Sequence, residues 1–149
     1  MGNFQKNFEK IQKFYFAACQ REEPKGCALL ADLYENDEQI IKNDYVLTNI
    51  GKLYKRSCDH GLASSCLKYV ERLEKANSTN NLEKIKYSVR GCKASDPYAC
   101  KKAGELYQEM SGDKNNKDTL DYLDRACGLG VGKLEDKCEE RSLRVYEEK

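Results

Sequence analysis

Cysteine is the residue type of this chain whose number and spacing most clearly point to chemistry. Eight cysteines occur among 149 residues, and they fall into four pairs. The pairs are Cys19 and Cys27, Cys58 and Cys66, Cys92 and Cys100, and Cys127 and Cys138. Three pairs share one spacing, and the leading cysteines recur every 34 to 39 residues. Cysteines in such a pattern could bind zinc, act as redox or nucleophilic thiols, or form disulfides.

A zinc site and a reactive thiol are both disfavoured by the surrounding residues. Zinc-binding cysteines are typically two to four residues apart, whereas this chain has no Cys-x-x-Cys sequence and a single histidine, His60. The cysteine count is even, and His60 lies two residues beyond Cys58 without an evident residue to orient it as a base. We therefore predict no metal site, no cofactor and no catalytic cysteine, and we interpret His60 as a turn residue.

The elements that position the cysteines are predicted to be pairs of helices. Apolar side chains recur at helical spacing before each leading cysteine (Phe8, Ile11 and Tyr15 in the first case) and again after each second cysteine. The recurrence interval is that of two antiparallel helices with their turns. The sequence thus predicts an all-α fold, an α/α solenoid of four helix-turn-helix repeats in a single domain over residues 1–149. The predicted repeats are 3–36, 43–77, 81–111 and 116–149.

Disulfide pairing within each repeat follows from this placement. A cysteine at the end of one helix faces a cysteine near the start of the next, at a Cα separation of roughly 5.5–6 Å that a disulfide spans. Closing a loop of about nine residues stabilises a hairpin by ~2–3 kcal/mol on the chain-entropy model. A single helix pair cannot bury its apolar face alone, so we interpret the predicted disulfides as structural bonds that stabilise each pair.

The turns carry residues that favour helix ends. Gly61 and Gly130 stand three residues after a leading cysteine, where the end of a helix needs left-handed backbone. Glu22 and Ser95 occupy that position in the first and third repeats. The fourth turn, residues 128–137, is longer than the others and irregular.

Three polar residues are predicted to cap the starts of helices. Asp96 precedes Pro97, which is favoured at the first helical position. Asn43 and Asn116 precede the first helices of the second and fourth repeats. Both prolines of the chain accordingly lie between helices.

A second set of residues could form a serine β-lactamase site. Such enzymes need the patterns Ser-x-x-Lys, Ser-x-Asn and Lys-x-Gly in this order. The chain contains Ser65-Cys66-Leu67-Lys68, Ser78-Thr79-Asn80 and Lys102-Ala103-Gly104. The last pattern falls in a predicted helix rather than a strand, and the chain is shorter than the ~250–300 residues typical of such α/β enzymes. We therefore predict no enzyme and retain weak β-lactamase activity or penicillin binding as an alternative.

The cysteine register resembles a known repeat family. The first repeat reads Ala18-Cys19, then Cys27 and Ala31-Asp32-Leu33-Tyr34, and the third has Cys92, Cys100, Ala103, Gly104, Leu106 and Tyr107. This pattern is similar to the Sel-like α/α repeats of the Helicobacter cysteine-rich protein family. The second repeat departs from it at Val70, Arg72 and Leu73. The resemblance implies a right-handed solenoid related to tetratricopeptide repeats, exported and used in protein or peptide recognition. Family members have also been described as penicillin-binding proteins or β-lactamases.

Composition and charge limit the partners. Lysine and arginine (26) nearly balance aspartate and glutamate (25), so the chain lacks the dense basic stripe that nucleic acid requires. No stretch approaches the ~20 apolar residues of a membrane helix. We expect a soluble monomer that binds neither nucleic acid nor membrane.

Cysteine content also bears on the compartment. Eight paired cysteines are hard to explain in a reducing cytosol. The first residues lack the pattern of a signal peptide, so we expect a mature periplasmic or secreted protein whose leader has been removed. The mitochondrial intermembrane space is the alternative.

Tyrosines form the candidate binding surface. Tyr15, Tyr54, Tyr87 and Tyr122 recur four or five residues before each leading cysteine, where they could line a concave groove of stacked first helices. The alternative is packing between neighbouring repeats with the hydroxyl at the rim. The sequence therefore predicts a protein-binding or peptide-binding scaffold, with an immunity or assembly factor for one specific protein as a narrower form of that function.

Overall fold

The computed structural model describes residues 2–37 and 44–130 together with Cys138, and side chains within 6–37 and 49–130 and that of Cys138. These ranges contain seven α-helices and no strand. In chain order the helices are α1 (Gly2–Gln20), α2 (Pro24–Asn36), α3 (Asp44–Asp59), α4 (Ala63–Lys75), α5 (Asn81–Lys93), α6 (Pro97–Ser111) and α7 (Lys117–Gly128). The predicted all-α repeat fold is confirmed.

The chain divides into two compact units, residues 1–77 and 78–149. In the first unit α1 packs against α2, α2 against α3, and α3 against α4. In the second unit α5 packs against α6, and α6 against α7. Each predicted repeat begins with one of the first helices α1, α3, α5 and α7, whereas the second helix of the fourth repeat and the cap Asn43 lie outside the described residues. The assignment of both units to a single domain stays a prediction.

The four predicted disulfides are confirmed. The bonded pairs are Cys19–Cys27, Cys58–Cys66, Cys92–Cys100 and Cys127–Cys138. None of the eight cysteines is free. Three of the bonds close hairpins at Cα separations of 4.4 to 4.8 Å, which is shorter than the predicted distance.

Small residues next to the cysteines explain this short separation. The residue before each cysteine is small and buried in the first three repeats: Ala18 and Gly26, Ser57 and Ser65, Gly91 and Ala99. A Cβ atom at Gly26 would lie 2.6 Å from the Cβ of Ala18, so the first hairpin closes only around glycine. In the second hairpin the two serine hydroxyls lie 2.8 Å apart and share a hydrogen bond.

The left-handed backbone predicted at Gly61 and Gly130 is confirmed, and Glu22 and Ser95 adopt the same conformation at that position. The backbone angle φ is 63° at Glu22, 107° at Gly61, 70° at Ser95 and 90° at Gly130. The amide of each of these residues donates to the carbonyl of the leading cysteine at 2.9 to 3.1 Å. In the first three repeats the next amide donates to the carbonyl of the residue before that cysteine, which completes a Schellman motif. The leading cysteine therefore has two roles: its carbonyl accepts a capping hydrogen bond at the end of the first helix, and its sulfur is bonded to the cysteine of the second helix.

Two predicted caps are also confirmed. The Asp96 side chain accepts hydrogen bonds from the amides of Tyr98 and Ala99 at the start of α6. The Asn116 side chain accepts from the second and third amides of α7 in the same way. Capping satisfies amides that have no partner within the helix, so these two side chains fix where the helices begin.

Candidate functional site

The four predicted tyrosines differ in burial. Tyr54 is 0 % exposed and Tyr87 is 3 % exposed, whereas Tyr15 and Tyr122 are half-buried. The Tyr122 ring stacks on that of Tyr107, with centroids 5.5 Å apart and planes 5° from parallel. Packing between helices therefore accounts for Tyr54 and Tyr87, and the idea that the tyrosines bind a partner stays a prediction.

Tyr54 is the centre of a polar cluster in the first unit. Its hydroxyl lies 2.6 Å from a carboxylate oxygen of Asp32 and 2.6 Å from one of Glu35, both on α2. From α4, Lys68 contacts Asp32 at 2.9 Å and also lies over the Tyr54 ring, 5.4 Å from its centroid. The cluster thus connects three consecutive helices through α3.

Two further cations complete this cluster. Lys75 and Arg72, both on α4, lie 3.4 and 3.9 Å from the same oxygen of Glu35. Burial alone raises the pKa of Glu35, but hydrogen bonds from Tyr54 and Lys75 and the charges of Lys75 and Arg72 outweigh it and hold that pKa below its usual value. Burial, followed by the hydrogen bonds to Asp32 and Glu35, raises the pKa of Tyr54. Tyr54 therefore keeps its one hydroxyl hydrogen, which lies within hydrogen-bond distance of both the Asp32 and the Glu35 carboxylates.

A groove lies beside this cluster, between α3 and α4. Its volume is about 540 Å³. The described residues that line it, which together define the α3–α4 groove, are Gly51, Lys52, Tyr69, Arg72, Leu73, Lys75 and Ala76. Ligand-binding clefts in proteins have volumes of roughly 300–1,000 Å³, so the α3–α4 groove is large enough to hold part of a ligand.

Two residues that line the α3–α4 groove are smaller than the residues at the same positions of the first repeat. In the first repeat Gln12, seven residues before the leading cysteine, donates a 2.7 Å hydrogen bond to the hydroxyl of Tyr34, seven residues after the second cysteine. The same two positions in the second repeat hold Gly51 and Leu73. A Cβ atom at Gly51 would have as its nearest contact the Cβ of Arg72, 3.8 Å away, so the space beside it is open.

The α3–α4 groove has an aromatic residue at its floor and basic residues at its rim. Tyr69 is buried, and Lys55 lies 5.8 Å from the centroid of its ring. Lys52 and Lys75 are exposed at the rim, and Arg72 is the third cation of the lining. Among the described lining residues there is no carboxylate.

Ser65 and Lys68, the two residues of the Ser-x-x-Lys pattern, both make contacts within the fold. Ser65 is 1 % exposed, and its hydroxyl donates to Ser57, because Ser57 uses its own hydrogen on the carbonyl of Pro24 at 2.7 Å. Lys68, three residues further along, contacts Asp32. A nucleophilic serine has to reach its substrate, and the buried Ser65 hydroxyl lies within the hairpin.

The described side chains form no evident metal site. No group of three or more His, Cys, Asp or Glu side chains in the described ranges is placed to hold a metal ion. His60, exposed in the turn after α3, donates its amide hydrogen to the carbonyl of Arg56.

The length and hydropathy of the helices bear on membrane insertion. In the part of the chain that the structure describes, no helix is both long and apolar enough to cross a membrane.

Neither the Tyr54 cluster nor the α3–α4 groove was predicted from the sequence, although the sequence contains a signal for each. Aligning the repeats on their cysteines shows Gly51 and Leu73 opposite Gln12 and Tyr34, and this pair of smaller residues indicates a cavity. An acidic residue also follows the second cysteine by five positions in each of the first three repeats: Asp32, Glu71 and Glu105. In the first repeat this residue contacts the tyrosine of the next helix.

Fold and site together define a class, an all-α protein of disulfide-closed helix pairs with a basic groove in its second repeat. Four disulfides are typical of proteins that work outside the reducing cytosol. A scan against protein-family models gives no match for this chain. A search of curated proteins likewise finds no relative.

Proposed function

We propose that this chain is an exported binding protein that takes a peptide segment of a partner protein into the α3–α4 groove. The observation that carries the proposal is the groove itself, which has about 540 Å³ of space above the buried Tyr69 ring. Pockets with an apolar floor and a few polar groups at the rim are the usual form of a binding site.

The surroundings of the groove support a binding role because they hold its walls in place. The Cys58–Cys66 disulfide joins α3 to α4 at one end, and the Ser57 and Ser65 hydroxyls add a buried hydrogen bond there. On the side facing α2, Tyr54 and its two carboxylates tie α3 to the first repeat. A site whose walls are already ordered loses less conformational entropy on binding, which favours affinity.

Membership of the Helicobacter cysteine-rich family, with its Sel-like repeats, is part of the same proposal. It is supported by four disulfide-closed repeats and by the left-handed turn residue at one position in each. We place the protein in the periplasm or outside the cell, with the mitochondrial intermembrane space as the other oxidising compartment. An immunity or assembly factor would use the same groove for one dedicated partner.

The proposal is tested by selecting peptides and then refilling the groove. Random peptides are displayed against the oxidised protein, and an enriched peptide is labelled and titrated by fluorescence anisotropy. The double variant Gly51→Gln with Leu73→Tyr installs the pair found in the first repeat, without removing a charge. We expect it to weaken binding by at least about tenfold, because it occupies the apolar space that a peptide side chain needs.

Two controls make this result specific. Lys25→Gln changes an exposed residue of α2 and should leave the affinity unchanged. Thermal unfolding followed by circular dichroism checks that the refilled variant is folded, which we expect because Gly51 is an interior helical position with open space beside it. Equal peptide binding by the wild type and the refilled variant, or no reproducible enrichment, would contradict the proposal.

A further inference from the structure

We propose that the segment recognised by the α3–α4 groove is acidic, with an apolar side chain flanked by carboxylates. This inference rests on the proposed function and adds the chemistry of the partner to it. We propose a protein segment as the ligand because the groove has an apolar floor and a charged rim. A peptide can present an apolar side chain and carboxylates within a few residues.

The charge of the rim carries the first step. The described lining includes Lys52, Arg72 and Lys75 and lacks a carboxylate. The Glu35 carboxylate, on α2 and outside the lining, contacts both Arg72 and Lys75. Three cations and no carboxylate in the described lining give the rim a positive potential, so an incoming carboxylate is favoured.

The positions of the cations carry the second step. The side chain of Arg72 is 18 % exposed, and its contact with Glu35 holds the guanidinium group at the wall of the groove. Lys75 is exposed one turn further along α4, and Lys52 is exposed on the facing helix α3. Cations therefore border the floor from both helices, which suits carboxylates on either side of a central apolar residue.

The apolar floor of the groove indicates a ligand that is not held by charge alone. Tyr69, Leu73 and Ala76 supply the apolar part of the lining. Burying a leucine or phenylalanine side chain against such a floor contributes roughly 1.5–3 kcal/mol, whereas exposed charge pairs contribute less than about 1 kcal/mol each. We expect the apolar residue to supply affinity and the carboxylates to supply selectivity.

The test compares the charge of selected peptides between two proteins. The random-peptide selection is run in parallel on the wild type and on the double variant Lys52→Glu with Lys75→Glu, both at exposed positions. We expect peptides selected by the wild type to be rich in Asp and Glu next to an apolar residue. The charge-reversed variant should select neutral or basic peptides and bind the wild-type consensus peptide at least about tenfold more weakly.

Controls and contrary outcomes separate this inference from the proposed function. The matched variant Lys25→Glu with Lys93→Glu reverses two exposed lysines outside the groove and should select the same acidic peptides as the wild type. Binding of the consensus peptide should also weaken as salt is raised. Selected peptides that are neutral or basic, yet lose affinity in the groove-filling variant, would overturn the acidic partner while leaving peptide binding in place. Peptides that bind the charge-reversed variant as tightly as the wild type would overturn it as well.

Discussion

Two contacts between consecutive repeats, α2 with α3 in the first unit and α6 with α7 in the second, join the same elements of the repeat by different means. In the first contact the buried hydroxyl of Tyr54 donates to carboxylates of the preceding helix. In the second contact Tyr122 stacks on Tyr107, and the Leu123 side chain approaches Gly104. The Thr119 hydroxyl is buried there without a hydrogen-bond partner among the described residues.

The difference between the two contacts shows that the repeat pattern specifies which positions of two helices meet, but not which interactions hold the helices together. Tyr54 and Leu123 both stand four residues before a leading cysteine, and Glu35 and Gln108 both stand eight residues after a second one. The first contact depends on charge and hydrogen bonds, which are directional and sensitive to pH. The second depends on shape, because Gly104 makes room for a leucine.

The largest expected effect comes from removing the tyrosine at each contact. Tyr54→Ala deletes a fully buried ring and removes the hydroxyl that contacts Asp32 and Glu35. Truncating a buried aromatic costs about 3–5 kcal/mol of the free energy of unfolding. Tyr122→Ala removes a half-buried ring and its stack on Tyr107, so we expect a loss smaller by at least about 1 kcal/mol. Urea unfolding followed by circular dichroism measures both, and equal losses would contradict the distinction between the contacts.

A matched pair of glycines gives an intermediate effect of opposite sign in the two units. In Gly104→Ala the new Cβ atom would lie 2.7 Å from Cγ of Leu123, and overpacking of this kind costs about 1–3 kcal/mol. In Gly51→Ala the nearest atom is 3.8 Å away, so helix propensity dominates and should stabilise by about 0.5–1 kcal/mol. The urea midpoint should fall for the first variant and rise for the second.

Relief of the clash checks the cause. The double variant Gly104→Ala with Leu123→Ala should lose less stability than the sum of the two single changes, because the Leu123 Cγ and Cδ2 atoms that meet the new Cβ are gone. Additive losses would show that Gly104 is needed for a reason other than contact with Leu123.

The smallest effect is a dependence on pH that belongs to the first contact alone. The pKa of Glu35 is lower in the folded protein than its usual value, so this residue stabilises the fold at pH values above its unfolded pKa. That contribution is lost as the pH falls from the unfolded pKa of glutamate through the lower, folded pKa, and this interval defines the pH window of the effect. We expect Glu35→Gln to flatten the decrease of the urea midpoint across this window. The exposed residue Glu109→Gln should leave the decrease unchanged, and a similar flattening by both variants would assign the effect to overall charge.

What the sequence predicts well is local. The cysteine spacing, the residue three places after each leading cysteine and the caps Asp96 and Asn116 all act within a single turn of chain, so their outcomes follow from nearby residues. The short Cα separations of the first three disulfides were not predicted, although Ala18 and Gly26, the small residues of the first hairpin, directly precede their cysteines.

What the sequence does not reveal depends on how repeats lie against each other. The burial of Tyr54 and its bonds to α2 require the register of α3 on α2, which no single segment specifies. The α3–α4 groove is lined by Gly51 and Leu73, which belong to separate helices and lie 22 residues apart in sequence. Their joint meaning appears only beside Gln12 and Tyr34, which occupy the same positions in the first repeat and share a hydrogen bond.

Mapping the disulfides in the unreduced protein tests the central claim, that each helix pair is closed by its own bond, most directly. Cleavage after lysine and arginine separates the cysteines of three pairs, and cleavage before Asp59 separates Cys58 from Cys66. Mass spectrometry of the digest should then find four linked peptide pairs, joining Cys19 to Cys27, Cys58 to Cys66, Cys92 to Cys100 and Cys127 to Cys138. Peptides linked between different repeats, or cysteines that alkylate before reduction, would contradict the account.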